Sequence, residues 1–194
     1  MSIEERTALK EWAVLVDAMG RGDLIAMVRK GGIREQRAGF AVRHERFLLY
    51  PTYFHEKPAE LASRFIPRLS LADPSPGTVR FRYVADVAAT WWVTDLDRLL
   101  RIEFQVGLTR AAIESRFHYR NNPGVHVMAL RLSALPTTVD VPDVPRYRGC
   151  VSWVALDHAL DVTNARPIIT DDTLRARVSA LTDALGESTE APRA

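Results

Sequence analysis

From residue 79 the chain reads as a long strand, with Val79, Phe81, Tyr83, Ala85 and Val87 on one side and Arg80, Arg82 and Asp86 on the other. A period of two places the apolar residues on one face of a β-strand and the charges on the opposite face. Such a strand must cover its apolar side, so the chain needs a sheet with a second layer packed against it. At 194 residues there is enough chain for one domain with a full core.

The remaining elements follow from shorter signals. Ser2 and Glu5 have capping-box spacing and suggest a short N-terminal helix. Trp12, Val14, Val16 and Ala18 alternate, Gly20 to Asp23 turns, and Leu24 to Arg29 returns, which reads as a β-hairpin. Phe47 to Phe54 is a third strand, with Pro51 marking an edge, a bulge or a kink. Pro58 opens a short helix over Ala59 to Ile66, and Pro67 stops it. Thr94 caps a helix carrying Leu96, Leu99 and Leu100, Gly107 interrupts it, and a second helix covers Thr109 to Phe117.

Val125 to Leu132 reads as a strand, Pro136 to Pro145 as an extended connector, and Cys150 to Leu156 as another strand. Thr170 caps a last helix with Leu174, Val178, Leu181 and Leu185 on one stripe, closed by Gly186. The sum is an α+β fold. A single domain over residues 1–186 holds a curved or partly closed mixed β-sheet of about six strands with about four helices, and 187–194 form a disordered tail.

Composition narrows the function classes. No apolar run is long enough to span a membrane, and MSIEERTALKEW lacks the cationic and apolar regions of a secretion signal, so a cytoplasmic location is expected. A lone cysteine, Cys150, excludes an internal disulfide and a multi-cysteine zinc site, and its apolar context suits an inert thiol. No cofactor is expected, since neither a P-loop nor a dinucleotide fingerprint is present. The three lysines have no glutamate two residues before them, so the Glu-x-Lys of a restriction-type nuclease is also missing.

The net charge of +2 is unevenly spread. Seven Lys/Arg face three acids between Arg21 and Arg46, whereas nine acids face six basic residues from Asp140 to the end. The basic stretch suits an anionic partner such as nucleic acid or a nucleotide. Within it, Lys30-Gly31-Gly32 followed by Arg34 can present free amides and cations to a phosphate, or can be a Gly-Gly turn with solvated charges. Arg43 and Arg46 extend the cationic strip, and Tyr50, Thr52 and His55 can line a pocket for a base.

Four blocks carry a family resemblance: Lys10-Glu11-Trp12-Ala13, Arg29 to Glu35, Phe47 to Thr52 with His55, and Tyr147 to Trp153. Together they resemble the prokaryotic domain-of-unknown-function family 1802, over roughly Leu9 to Leu185. The resemblance implies no catalytic residues. Relatives fused to restriction-endonuclease domains imply a tie to DNA recognition or defence. The pattern from Val79 to Leu100, with Trp91-Trp92, is more loosely similar to PUA-like modules of the ASCH and EVE type, curved sheets that hold bases.

The leading expectation is therefore a nucleic-acid or modified-base recognition module. A small hydrolase or nuclease using Glu35, His44 and His55, with or without a metal, is the alternative from the histidines. A protein-interaction domain with a partner protein is a third.

Overall fold

The computed structural model describes residues 2–30, 44–53, 56–70, 72–149 and 151–189. In chain order the elements are β1 (Glu4–Trp12), α1 (Ala13–Gly20), β2 (Ala26–Arg29), β3 (Arg46–Thr52), β4 (Thr78–Val93), α2 (Leu96–Leu100), α3 (Glu103–Val106), α4 (Arg110–Phe117), β5 (Val125–Pro142), β6 (Trp153–Asp161), β7 (Arg166–Pro167) and α5 (Asp171–Leu185). The strands make one mixed sheet in the order β2-β5-β4-β3-β1-β6, with β7 also on β5. Only β1 and β3 run parallel; the other pairs are antiparallel.

The run at 79–87 is the first part of β4, whose pairing with β5 extends from Thr78 opposite Pro142 to Val93 opposite Val125. Its apolar residues do not share one face as expected: Val79 and Phe81 join one apolar cluster with Val84, whereas Ala85, with Tyr83 and Val87, packs into the other on the far side of the sheet. The register shifts between Phe81 and Tyr83 and again between Val87 and Ala89. Such bulges raise local twist and bend the sheet. The curvature is large: β2 and β1 are separated by three strands in the order, yet Arg29 Nη1 of β2 donates to the Lys10 carbonyl of β1 at 3.0 Å. The sheet is thus partly closed, with a cationic side chain spanning the gap.

Two apolar clusters hold it. The larger packs α1, α4 and α5 against Leu9, Leu49, Trp91 and Met128, and the smaller gathers Leu48, Tyr50, Phe81, Tyr147 and Leu156 on the opposite face. Adjacent Leu48 and Leu49 are both fully buried, so this part of the sheet is covered on both sides.

Several expectations need correction. The N-terminal segment is strand β1, paired with both β3 and β6, so tertiary pairing overrides the capping-box spacing. The run from residue 12 that alternates like a strand is helix α1, with six of its residues buried, from Ala13 to Met19. A helix enclosed on almost every side carries no polar stripe, and its valines then alternate by coincidence. The region read as a connector is the second half of β5. Its prolines are tolerated because Pro136 falls in the bulged stretch 135–138, which has no partner in the β4–β5 register, and Pro142 closes the ladder opposite Thr78. The segment after Pro58 forms two 3₁₀ turns, Pro58–Glu60 and Ser63–Arg68, with Pro67 inside the second. The late strand starts at Trp153, and α2 is capped by Asp95 in place of Thr94.

Other signals hold. Thr109 and Thr170 accept from the backbone N–H groups of Ala112 and Thr173 as caps of α4 and α5. Gly107 ends α3 in the left-handed region, at φ 73°. Trp91 and Trp92 point to opposite faces, the first 1% and the second 42% exposed. Beyond α5, Thr189 pairs with Thr90 on the stretch of β4 that β3 does not reach.

Candidate functional site

The closure of the sheet creates two adjoining hollows. The first has a volume of about 390 Å³ and is lined by Lys10, Glu11 and Trp12 of β1, Val28, Arg29 and Lys30 at the end of β2, Thr52, Glu60, Ser115, Arg116, Tyr119, Val151 and Ser152. The second, of about 910 Å³, takes Tyr50, Pro51, Thr52 and Tyr53 from the end of β3 together with Arg80, Arg82, Asp143 and Arg148. Lys10, Trp12, Thr52 and Val151 belong to both. Register explains the shared wall, because Lys10 lies opposite Tyr50 and Trp12 opposite Thr52 in the parallel pair β1–β3.

Each hollow presents four cations against two carboxylates among the described residues. In the first, Glu11 is only 4% exposed; its Oε2 accepts from Arg29 Nη1 at 3.3 Å and its Oε1 from the Trp12 N–H. Arg116 donates to the Val28 carbonyl at 3.3 Å and lies 5.3 Å from the Trp12 ring, with Glu60 at 3.9 Å. Burial pushes its guanidinium below the ordinary range and Arg29 adds to this, while Glu11 and Glu60 oppose it. Lys10 Nζ donates to the Gly149 carbonyl at 3.1 Å and sits 5.3 Å from the Tyr50 ring.

The second hollow is better neutralised. Arg80 pairs with Asp140, and Arg148 with Asp143. Tyr50 donates its hydroxyl to Asp143 at 2.9 Å, and burial followed by that carboxylate pushes the phenol above its ordinary value. Burial also raises Tyr53. Beside the first hollow, Glu56 accepts the Val14 N–H at 3.0 Å at the start of α1. Desolvation, with Glu11 adding repulsion, raises its carboxyl above the usual glutamate value.

The residues expected from sequence fare differently. Tyr50 and Thr52 line the hollows, and Tyr53 joins them because strand geometry ends at Thr52. Lys30 lines the first hollow, but its ammonium donates to the carbonyls of Phe117, Asn122 and Gly124, locking the end of α4. Arg46 lies elsewhere, paired with Asp86 at 2.6 Å. Gly31, Gly32, Arg34, Arg43 and His55 lie outside the described residues, as do Glu35 and Cys150. Of the proposed acid/base group only His44 is described, edge-on to the Trp153 ring at 4.9 Å. Among the described residues no group of three His, Cys, Asp or Glu could hold a metal, and no helix is long and apolar enough to cross a membrane.

Sequence reasoning missed Lys10, Trp12, Arg29, Arg116, Tyr119 and Ser152. They come from four separate stretches of chain and meet only because the sheet curls. Lys10, Trp12, Arg29 and Ser152 all stand in the blocks of family resemblance, which was the available pointer to them.

Two solved structures are similar over most of their length. The crystal structure of ASCH from Zymomonas mobilis matches with 12% identity and a TM-score of 0.44, covering 89% of this chain and 93% of that one. A serine-to-alanine mutant of the same protein matches with 14% identity and a TM-score of 0.40, covering 92% and 99%. No curated protein matches the sequence. The family model described as "Domain of unknown function (DUF1802)" matches residues 8–180, and the chain belongs to that family.

Proposed function

We propose that the joined hollows bind nucleic acid, taking a base among the aromatic rings and its phosphates against the cations. The observation that carries this reading is the convergence of Lys10, Arg29 and Arg116 with Trp12, Tyr50 and Thr52 on one continuous concavity. Cations supply sequence-independent attraction to phosphate, and aromatic faces supply stacking for an unpaired base. The larger hollow leaves room for the sugar-phosphate on either side. Recognition of a modified base in DNA, as in restriction-like defence, is the finer form of the same reading.

Titration with single-stranded DNA, single-stranded RNA, and plain and methylated duplexes at two salt concentrations tests it. Binding is expected to weaken with salt, and Lys10→Ala should reduce the logarithmic salt slope by about one. Absence of salt-sensitive binding to every one of these polymers would remove the reading.

A further inference from the structure

Trp92 stands outside both hollows, yet it is held as firmly as a core residue. Its ring lies against the backbone of Gly124, whose φ is +124°, and a Cβ there would come within 2.7 Å of the indole Cζ2. His126 packs on it with ring centroids 4.7 Å apart and planes tilted by 52°. Lys30 Nζ, anchored by the carbonyls after α4, lies 5.9 Å from the ring centroid. An indole 42% exposed in so constrained a setting presents a fixed aromatic face beside a fixed positive charge.

Register joins this face to the first hollow. Trp92 is directly opposite His126 in the β4–β5 pair, and His126 is directly opposite Arg29 in the β2–β5 pair. Residues aligned across strands project from the same face, so the three form one row. Two inter-strand spacings, roughly 10 Å, separate its ends. The row begins at an exposed ring and ends at a guanidinium in the wall of the hollow, with Lys30 alongside both.

We propose that Trp92 and His126 form a stacking platform for an unpaired base adjoining the nucleotide held in the hollow, so that the protein grips a run of single-stranded nucleic acid. This rests on the nucleic-acid reading of the hollow. A single strand suits the row because its neighbouring bases are free to stack while its phosphates pass Lys30 and Arg29. A duplex would keep those bases paired and out of reach of the ring.

The test compares adenosine and thymidine 5′-monophosphates with single-stranded DNA and RNA of about eight nucleotides, a length within the usual site size. Wild type, Trp92→Ala, Trp92→Phe and Lys10→Ala are measured side by side, with the urea midpoint of each as a check on folding. Trp92→Ala should weaken oligonucleotide binding by roughly 5–150-fold, the equivalent of one stacked base, and leave mononucleotide binding unchanged. Trp92→Phe should keep most of the affinity. If Trp92→Ala binds the oligonucleotide like wild type while Lys10→Ala is weakened, the platform is wrong and the hollow stands. Equal weakening of mononucleotide and oligonucleotide by Trp92→Ala also overturns the platform. If wild type binds no single-stranded oligonucleotide but does bind a mononucleotide or a duplex, the platform falls and the hollow stands; binding of none of them overturns both.

Discussion

Trp91→Ala will lower stability by about 3–5 kcal/mol and the thermal midpoint by roughly 10 °C. The side chain is 1% exposed on the core face of β4, opposite Val127 of β5. Its indole N–H donates to the Gly186 carbonyl at 3.0 Å, fastening the end of α5 to the sheet. Truncation removes a large buried ring, leaves a cavity between α5 and β4, and strips that carbonyl of its donor. Trp91→Phe keeps most of the volume and should cost about 1–2 kcal/mol, mainly through the lost hydrogen bond and the smaller ring. Urea denaturation of the three proteins checks this. Equal midpoints would mean that α5 is not held through Trp91.

Glu11→Ala will act in two opposite directions. Glu11 is the buried carboxylate facing Arg29, and it also offsets Arg116. Its loss removes the Arg29 ion pair and one of the two carboxylates that offset Arg116, a change expected to cost about 3 kcal/mol. Adding Arg29→Met to Glu11→Ala should recover part of that loss, since the cation of low exposure is then gone as well. The folded fraction of Glu11→Ala should nevertheless bind anionic polymers more tightly and with a steeper salt dependence, because the hollow has lost a negative charge. Lower stability together with unchanged or weaker anion binding would show that Glu11 props the wall without setting the potential of the hollow.

What the sequence made legible was whatever local chemistry determines. The existence of strand β4, the threonine cap of α5 and the break at Gly107 are each fixed by a few neighbouring residues, whereas the bulge after Phe81 that turns the rest of the β4 run to the other face is not. The failures share a different cause. In α1, burial on nearly every side erased the periodicity that distinguishes helix from strand. In the second half of β5, Pro136 falls in a bulge and Pro142 at the end of the ladder with β4, and only the strand pairing reveals either.

The site divides in the same way. Tyr50 and Thr52 were readable because aromatic and hydroxyl residues crowd a single strand end. Arg29 and Arg116 were not, because their meeting depends on a sheet curling until its second strand reaches its first. Arg46 shows the reverse error. It is close in sequence to the other cations, but on β3 it projects where Asp86 satisfies it.

The most direct test of the hollow as a receptor is to follow backbone amide and indole resonances while single-stranded oligonucleotide is added to saturation. The account predicts that Lys10, Trp12, Thr52 and Ser152 move together, with their titration curves giving one affinity. Shifts confined to α5 or to the Arg46–Asp86 surface, with those four unchanged, would contradict it.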